Sequence, residues 1–174
     1  MENVDIRPAK EHDLHGILEI YNDAIVNTTS VYNYKPHTIE MRKKWFAEKQ
    51  AAKHPVFVAT IDDKVVGFVS YGHFRVWAAY KYSVEHSVYV HPDFRQRGIA
   101  KKLLSIIIDA ARQNDVHAII AGIDSDNVSS IKLHSQFNFK EVGHFKQVGY
   151  KFGKWLDLIF MELLLDTPKN PQEN

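Results

Sequence analysis

The chain's 174 residues suffice for one domain with a sizeable core, and its 45% apolar and 25% charged residues exclude a disordered chain. With 22 Lys and Arg against 21 Asp and Glu the formal charge is +1, so no global field favours nucleic acid or an anionic membrane as a partner. The absence of cysteine excludes a disulfide scaffold, a thiolate metal site and a cysteine nucleophile, and fits a cytoplasmic address.

The N-terminus is charged from Glu2 and lacks the apolar core of a signal peptide. No run approaches the ~18 apolar residues of a membrane span. Residues 4–7 read as a first strand, and Pro8 favours a turn after it. Leu14, Ile17, Leu18, Tyr21, Ala24 and Ile25 then fall at helical spacings on one stripe. A polar stretch follows, after which Thr38 caps a second helix with Met41, Trp45 and Phe46 on its buried side. Residues 56–61 and 65–71 form a hairpin around Asp62, Asp63 and Lys64, and residues 82–91 a long central strand.

From Gly98 the pattern turns helical, with Ala100, Leu103, Leu104, Ile107, Ile108 and Ala111 spaced by three and four. Residues 116–121 read as a short strand, 127–136 as a helix, and 139–165 as two long strands linked around residues 149–153. One domain over residues 1–165 is expected, with 166–174 a mobile polar tail. The element order describes an α/β (α+β) fold: a mainly antiparallel sheet flanked by helices, with one crossover in its middle.

The segment from Val88 to Lys101 runs from a strand through a basic turn into a helix. A helix start presents unpaired backbone N–H groups and the positive end of its dipole, and Gly98 lets a phosphate approach the backbone. Arg95 and Arg97 add charge. A basic glycine turn of this length is also what a solvated loop contains, and it matches neither the Walker A nor the Rossmann fingerprint.

Arg95, Gln96, Arg97, Gly98, Ile99 and Ala100, followed by Lys101, resemble the acetyl-CoA signature of GNAT acyltransferases. The segment from Asp126 to Phe139 is similar to a second GNAT landmark, with Asn138 where the family usually has glycine; Asn tolerates the left-handed backbone. Four further stretches look like the phosphinothricin N-acetyltransferase branch, which includes methionine sulfoximine and methionine sulfone acetyltransferases. They begin at Ile20, Tyr71, Ser83 and Lys151, so the resemblance covers nearly the whole chain. It implies acetyl-CoA as co-substrate, its pyrophosphate held by the backbone of the signature loop. It further implies a pantetheine arm paired with Val88, Tyr89 and Val90 and hydrogen-bonded to Asn127, and a homodimer.

Acetyl transfer requires an uncharged amine, hence a base. Glu85 is the candidate: it is an acid within an apolar strand, where burial raises its pKa, and the similar family places its proposed base there. On a helix Asn127, Ser130, Ile131 and His134 share one face. His134 either protonates the leaving thiolate or is a packed, hydrogen-bonded residue. His86 follows Glu85 and points to the opposite face of the strand, which disfavours a Glu-His dyad. Backbone N–H groups near Val88 or Tyr89 would meet the oxyanion.

Five aromatics between Tyr71 and Tyr82 surround Arg75, a composition suited to a small zwitterion with an anionic end. The resemblance implies that Arg75, its neighbours Val76 and Trp77, and the stretch Glu85, His86, Ser87 line the acceptor pocket. The ten histidines show no metal-ligand spacing, so no metal is expected. Tyr32, Tyr34 and Trp155 read as core or interface aromatics. The expected reaction is acetylation of the α-amine of an amino-acid-like acceptor by direct attack. Acetylation of protein N-termini or polyamines, and a non-catalytic acetyl-CoA-binding module, remain as alternatives.

Overall fold

The computed structural model describes residues 4–173. The expectations for Met1, Glu2, Asn3 and Asn174 lie outside the described residues. Strands β1 (Asp5–Pro8), β2 (Val56–Ile61), β3 (Lys64–His73), β4 (Ser83–Val90), β5 (Ala118–Asp124), β6 (Lys140–Lys151) and β7 (Lys154–Leu164) alternate with helices α1 (Leu14–Asn27), α2 (Ile39–Ala51), α3 (Ile99–Gln113) and α4 (Val128–Gln136). The hydrogen-bonded strand order is β1-β2-β3-β4-β5-β7-β6. The β4–β5 pair is parallel, while β1–β2, β2–β3, β5–β7 and β6–β7 are antiparallel. This is the mainly antiparallel sheet with one central crossover expected from the element order, the crossover being made by α3. Among the described residues no helix is long and apolar enough to cross a membrane.

The described residues form two compact units: residues 4–71 with Ser87–Ile107, and Gly72–His86 with residues 108–173. In the first, Leu14, Ile17 and Ile20 of α1 pack with Phe46, Val56, Val58, Val65 and Phe68. Each such side chain contributes roughly 1.5–3 kcal/mol by leaving water. Pro8 belongs to β1, paired with Phe57, instead of forming the expected turn. As an edge strand, β1 tolerates a residue that has no N–H to donate. The hairpin between β2 and β3 turns on Asp62 and Asp63 alone, both at positive φ (47° and 62°), and Lys64 already pairs with Ile61.

Thr38 caps α2 as expected, its hydroxyl accepting from Met41 N–H at 3.3 Å. The buried face differs: Met41 is exposed, and Arg42 is buried beside Phe46. The Arg42 guanidinium lies 4.1 Å from the Tyr21 ring centroid and 4.6 Å from that of Trp45, and it is 3.2 Å from His37 Nδ1. Aromatic faces thus take the place of a carboxylate around this charge. His37 is also held through its backbone, its N–H and carbonyl both bonded to the Asn22 side chain.

In the second unit, β5 pairs along its length with β7, and β7 with the long outer strand β6. Asn138 adopts φ 66°, the left-handed backbone expected where the family has glycine. Beyond β7, in the polar tail expected to be mobile, Thr167 hydrogen-bonds Val116 and His117, and Gln172 hydrogen-bonds the Tyr82 hydroxyl. Polarity of sequence alone does not deprive a segment of partners.

Candidate active site

The first unit carries the basic turn. Val88, Tyr89 and Val90 are half-buried at the end of β4, and Ser87 before them is exposed. A single-turn helix at Pro92–Phe94 leads into the loop, where Gln96 and Gly98 both have positive φ (61° and 76°). Ile99 is buried and anchors the start of α3, whereas Arg95, Arg97, Gly98 and Lys101 are exposed and Ala100 half-buried. The first α-helical bond runs from Lys102 N–H to the Gly98 carbonyl, so the amides of Ile99, Ala100 and Lys101 have no intrahelical acceptor.

Arg95 donates to the Val90 carbonyl and lies 3.5 Å from Asp23, while Arg97 donates to the Asp93 carbonyl and stands over the Phe94 ring. A cβ built on Gly98 meets nothing within 4 Å. Open space, aligned amides, the positive helix end and two nearby guanidiniums fit a diphosphate.

The second unit carries Glu85, Arg75, His86 and His134. Glu85 is half-buried on β4, and burial raises its carboxyl pKa while the positive charge of Arg75 opposes that rise. Arg75 is exposed, its guanidinium 4.1 Å from the Phe74 ring centroid and 2.8 Å from the Phe74 carbonyl. Val76 and Trp77 are exposed beside it, at 90% and 67% of their surface. Glu85 and Arg75 thus lie within electrostatic reach of each other.

His86 and His134 are placed differently. Both are buried; their Nε2 atoms are 3.0 Å apart and Phe139 packs on both rings. His134 Nδ1 lies 2.7 Å from the Ser130 carbonyl, so it carries a proton and donates it, and Nε2 then accepts from His86 Nε2–H. That tautomer leaves His86 Nδ1 as a buried lone pair without a partner. Both nitrogens of His134 are engaged internally, the arrangement of the packed residue and not of an acid with a proton to give. His86, expected at the acceptor pocket, instead packs beneath the strand, because alternation sends it to the face opposite Glu85.

Asn127 is the N-cap of α4: its Oδ1 accepts from Ser130 N–H and Ser129 Oγ, leaving its amide N–H groups as the atoms that could serve a cofactor arm. The sequence reading passed over Gly122 and Phe160, whereas Phe74 was among the five aromatics it set around Arg75. A glycine inside a strand pattern marks a bulge or a close approach, and that signal was present at Gly122.

Burial lowers the pKa of both rings, that of His86 to about 3, with its His134 neighbour adding to the shift. A depressed histidine contributes stability that is complete above the unfolded value of about 6.5 and is lost as pH falls through the folded one. Thermal unfolding should therefore show Tm falling from pH 7 to pH 4.5. A variant with His86→Phe and His134→Leu should show a shallower fall; parallel slopes would assign the acid lability elsewhere.

The acetyltransferase (GNAT) domain family matches residues 6–160. An L-methionine sulfoximine/L-methionine sulfone acetyltransferase of Salmonella typhimurium is 42% identical, over 95% of this chain and 97% of that protein. A phosphinothricin N-acetyltransferase of Streptomyces coelicolor is 33% identical, over 91% and 95%. Among solved structures, a GNAT superfamily phosphinothricin acetyltransferase of Sinorhizobium meliloti in complex with acetyl-CoA superposes with a TM-score of 0.93, at 31% identity over 97% of this chain and 92% of that one. A loop fitted to a diphosphate, a fold shared over nearly full length and these relatives agree: the chain belongs to the GNAT acetyltransferase family, N-acetyltransferases whose co-substrate is acetyl-CoA.

Proposed function

We propose that this enzyme acetylates the α-amine of a small amino-acid-like acceptor of the methionine sulfoximine, methionine sulfone or phosphinothricin type. The amine attacks the thioester directly, and no acyl-enzyme forms. The observation that carries the reading is Glu85 half-buried on β4, where burial raises its carboxyl pKa, within the electrostatic influence of the exposed Arg75. One accepts the amine proton and the other attracts the acceptor's anionic group, which is the polarity of an amino acid. A polyamine has no anion for Arg75 to read. The signature loop with Val88, Tyr89, Val90 and Asn127 holds acetyl-CoA, which supplies an activated acetyl thioester.

The reading is tested by following thiol release from acetyl-CoA across amino-acid sulfoximines, sulfones, phosphinothricin, polyamines and N-terminal peptides. Release with the amino acids is expected, and turnover confined to polyamines or peptides would overturn it. Within that panel Arg75→Ala should raise the acceptor KM about fivefold, the modest size befitting an exposed charge, and leave the acetyl-CoA KM unchanged. Equal effects on both would assign Arg75 a structural role.

We place the protein in the cytoplasm as a homodimer, without nucleic acid or membrane as a partner. The exposed apolar side chains of β6 and β7, among them Phe145, Val148, Tyr150 and Trp155, support the dimer, as does the place of β6 at the edge of the sheet. Sedimentation velocity would test it, a monomer at micromolar concentration counting against it.

A further inference from the structure

Six glycines within the elements, Gly16, Gly67, Gly72, Gly122, Gly143 and Gly149, have no positive φ that would call for glycine. Packing explains two of them. A Cβ at Gly16 would stand 2.7 Å from Val65 Cβ, and one at Gly67 3.0 Å from both the Tyr89 carbonyl oxygen and a Leu103 methyl. Gly122 is different. It is the one exposed residue of β5, whose other six residues are buried. The nearest atom to a Cβ built there is Glu85 Oε1, at 3.1 Å, followed by Phe160 Cε1 at 3.4 Å and Leu158 Cδ1 at 3.6 Å.

Register accounts for this meeting. Glu85 pairs with Ile120 across the parallel β4–β5 ladder, so Gly122, two residues on, presents the same face. Gly122 in turn pairs with Phe160 of β7, whose ring packs edge-on against Phe74, the residue that carries the Arg75 guanidinium over its own ring. A glycine inside a strand weakens it, and here no backbone geometry demands one. What the missing side chain provides is room, bounded by a carboxylate on one side and a phenyl ring on another.

We propose that Gly122 is a specificity-determining residue: the volume it leaves open beside the Glu85 carboxylate receives the amine-bearing carbon of the acceptor. The inference rests on the reading of this unit as the acceptor site. A methyl group at position 122 fills that volume and displaces Oε1 by a few tenths of an ångström, because the carboxylate is the flexible partner and the ring the packed one. Both effects fall on the acceptor and neither on the coenzyme.

The test is the series Gly122→Ala, Gly122→Ser and Gly122→Val, assayed with acetyl-CoA and acceptors of increasing bulk at the α-carbon: glycine, methionine sulfone and α-methyl methionine sulfone. Gly122→Ala should lower kcat/KM for methionine sulfone about fivefold. Valine should lower it further, the loss should grow with acceptor bulk, and the acetyl-CoA dissociation constant should stay at the wild-type value. Circular dichroism and Tm select the variants that fold, serine standing in for valine if the larger side chain unfolds the strand.

Unchanged kcat/KM across the series would overturn the proposal, as would a uniform loss for all acceptors accompanied by weakened acetyl-CoA binding. Glu85→Gln, assayed in parallel, separates this inference from the base assignment. Size-graded losses at position 122 with an active Glu85→Gln enzyme would leave the pocket in place and remove the base. An inactive Glu85→Gln enzyme beside an indifferent 122 series would do the reverse.

Discussion

Replacing Glu85 by glutamine should lower kcat/KM for an amino-acid acceptor about 10²-fold near neutral pH, in the range attributable to a positioned general base. The substitution keeps the side chain's shape and removes its capacity to take a proton, so affinity for acetyl-CoA should not change. Burial on β4 raises the carboxyl pKa above its ordinary value, with Arg75 limiting the rise. The wild-type rate should therefore climb with pH as Glu85 loses its proton, and a raised pKa makes it a stronger acceptor than a surface carboxylate.

The deficit of the glutamine enzyme should shrink as pH approaches the acceptor's own amine pKa, where solvent has already removed the proton. Pre-steady-state rates at saturating acetyl-CoA, taken from pH 6.5 to 9.5, measure this directly. A glutamine enzyme with wild-type chemistry at neutral pH would exclude Glu85 as the base. His134 would not inherit the role in the observed arrangement, because both of its ring nitrogens are engaged with Ser130 and His86.

Placing glutamate at position 98 should raise the dissociation constant of acetyl-CoA at least tenfold, equivalent to about 1.4 kcal/mol. Gly98 sits at φ 76°, where any side chain is strained by roughly 1–2 kcal/mol. That cost falls partly on the fold, but an acidic residue at a helix start recovers about 0.3–1 kcal/mol from the dipole. With no protein atom within 4 Å of the new Cβ, the loop has room for the substitution and the protein should remain folded.

The coenzyme meets a different situation. The added carboxylate occupies the approach to the amides of Ile99 and Ala100 and sets negative charge against the diphosphate. Gly98→Ala isolates the backbone contribution, and calorimetry on both variants separates strain from charge. Wild-type affinity in the glutamate variant would remove this loop from the coenzyme site.

Much of this architecture was legible in the sequence wherever it depends on neighbours a few residues apart. The spacing of Leu103, Leu104, Ile107, Ile108 and Ala111 marks α3, and all five are buried. Thr38 caps α2, and Asn138 takes the left-handed backbone that its side chain tolerates. A strand's period of two separates Glu85 from His86, and the two do stand on opposite faces, one beside Gly122 and the other against His134.

Only the tertiary structure decided what those faces meet. Met41 and Arg42 are adjacent on α2, and apolarity favours burying the methionine; the aromatic faces of Tyr21 and Trp45 reverse that choice by receiving the guanidinium. His86 and His134 are 48 residues apart, and no local rule states that one will satisfy the other. Gly122 reads locally as a weak point in a strand, and its meaning appears when the β4–β5 register sets it against the Glu85 carboxylate. The sequence by itself determined the elements and the basic glycine turn before α3, because both are built from short-range backbone geometry. Burial, tautomer and the space beside Glu85 were decided by tertiary structure, because they depend on groups brought together only by strand register and packing.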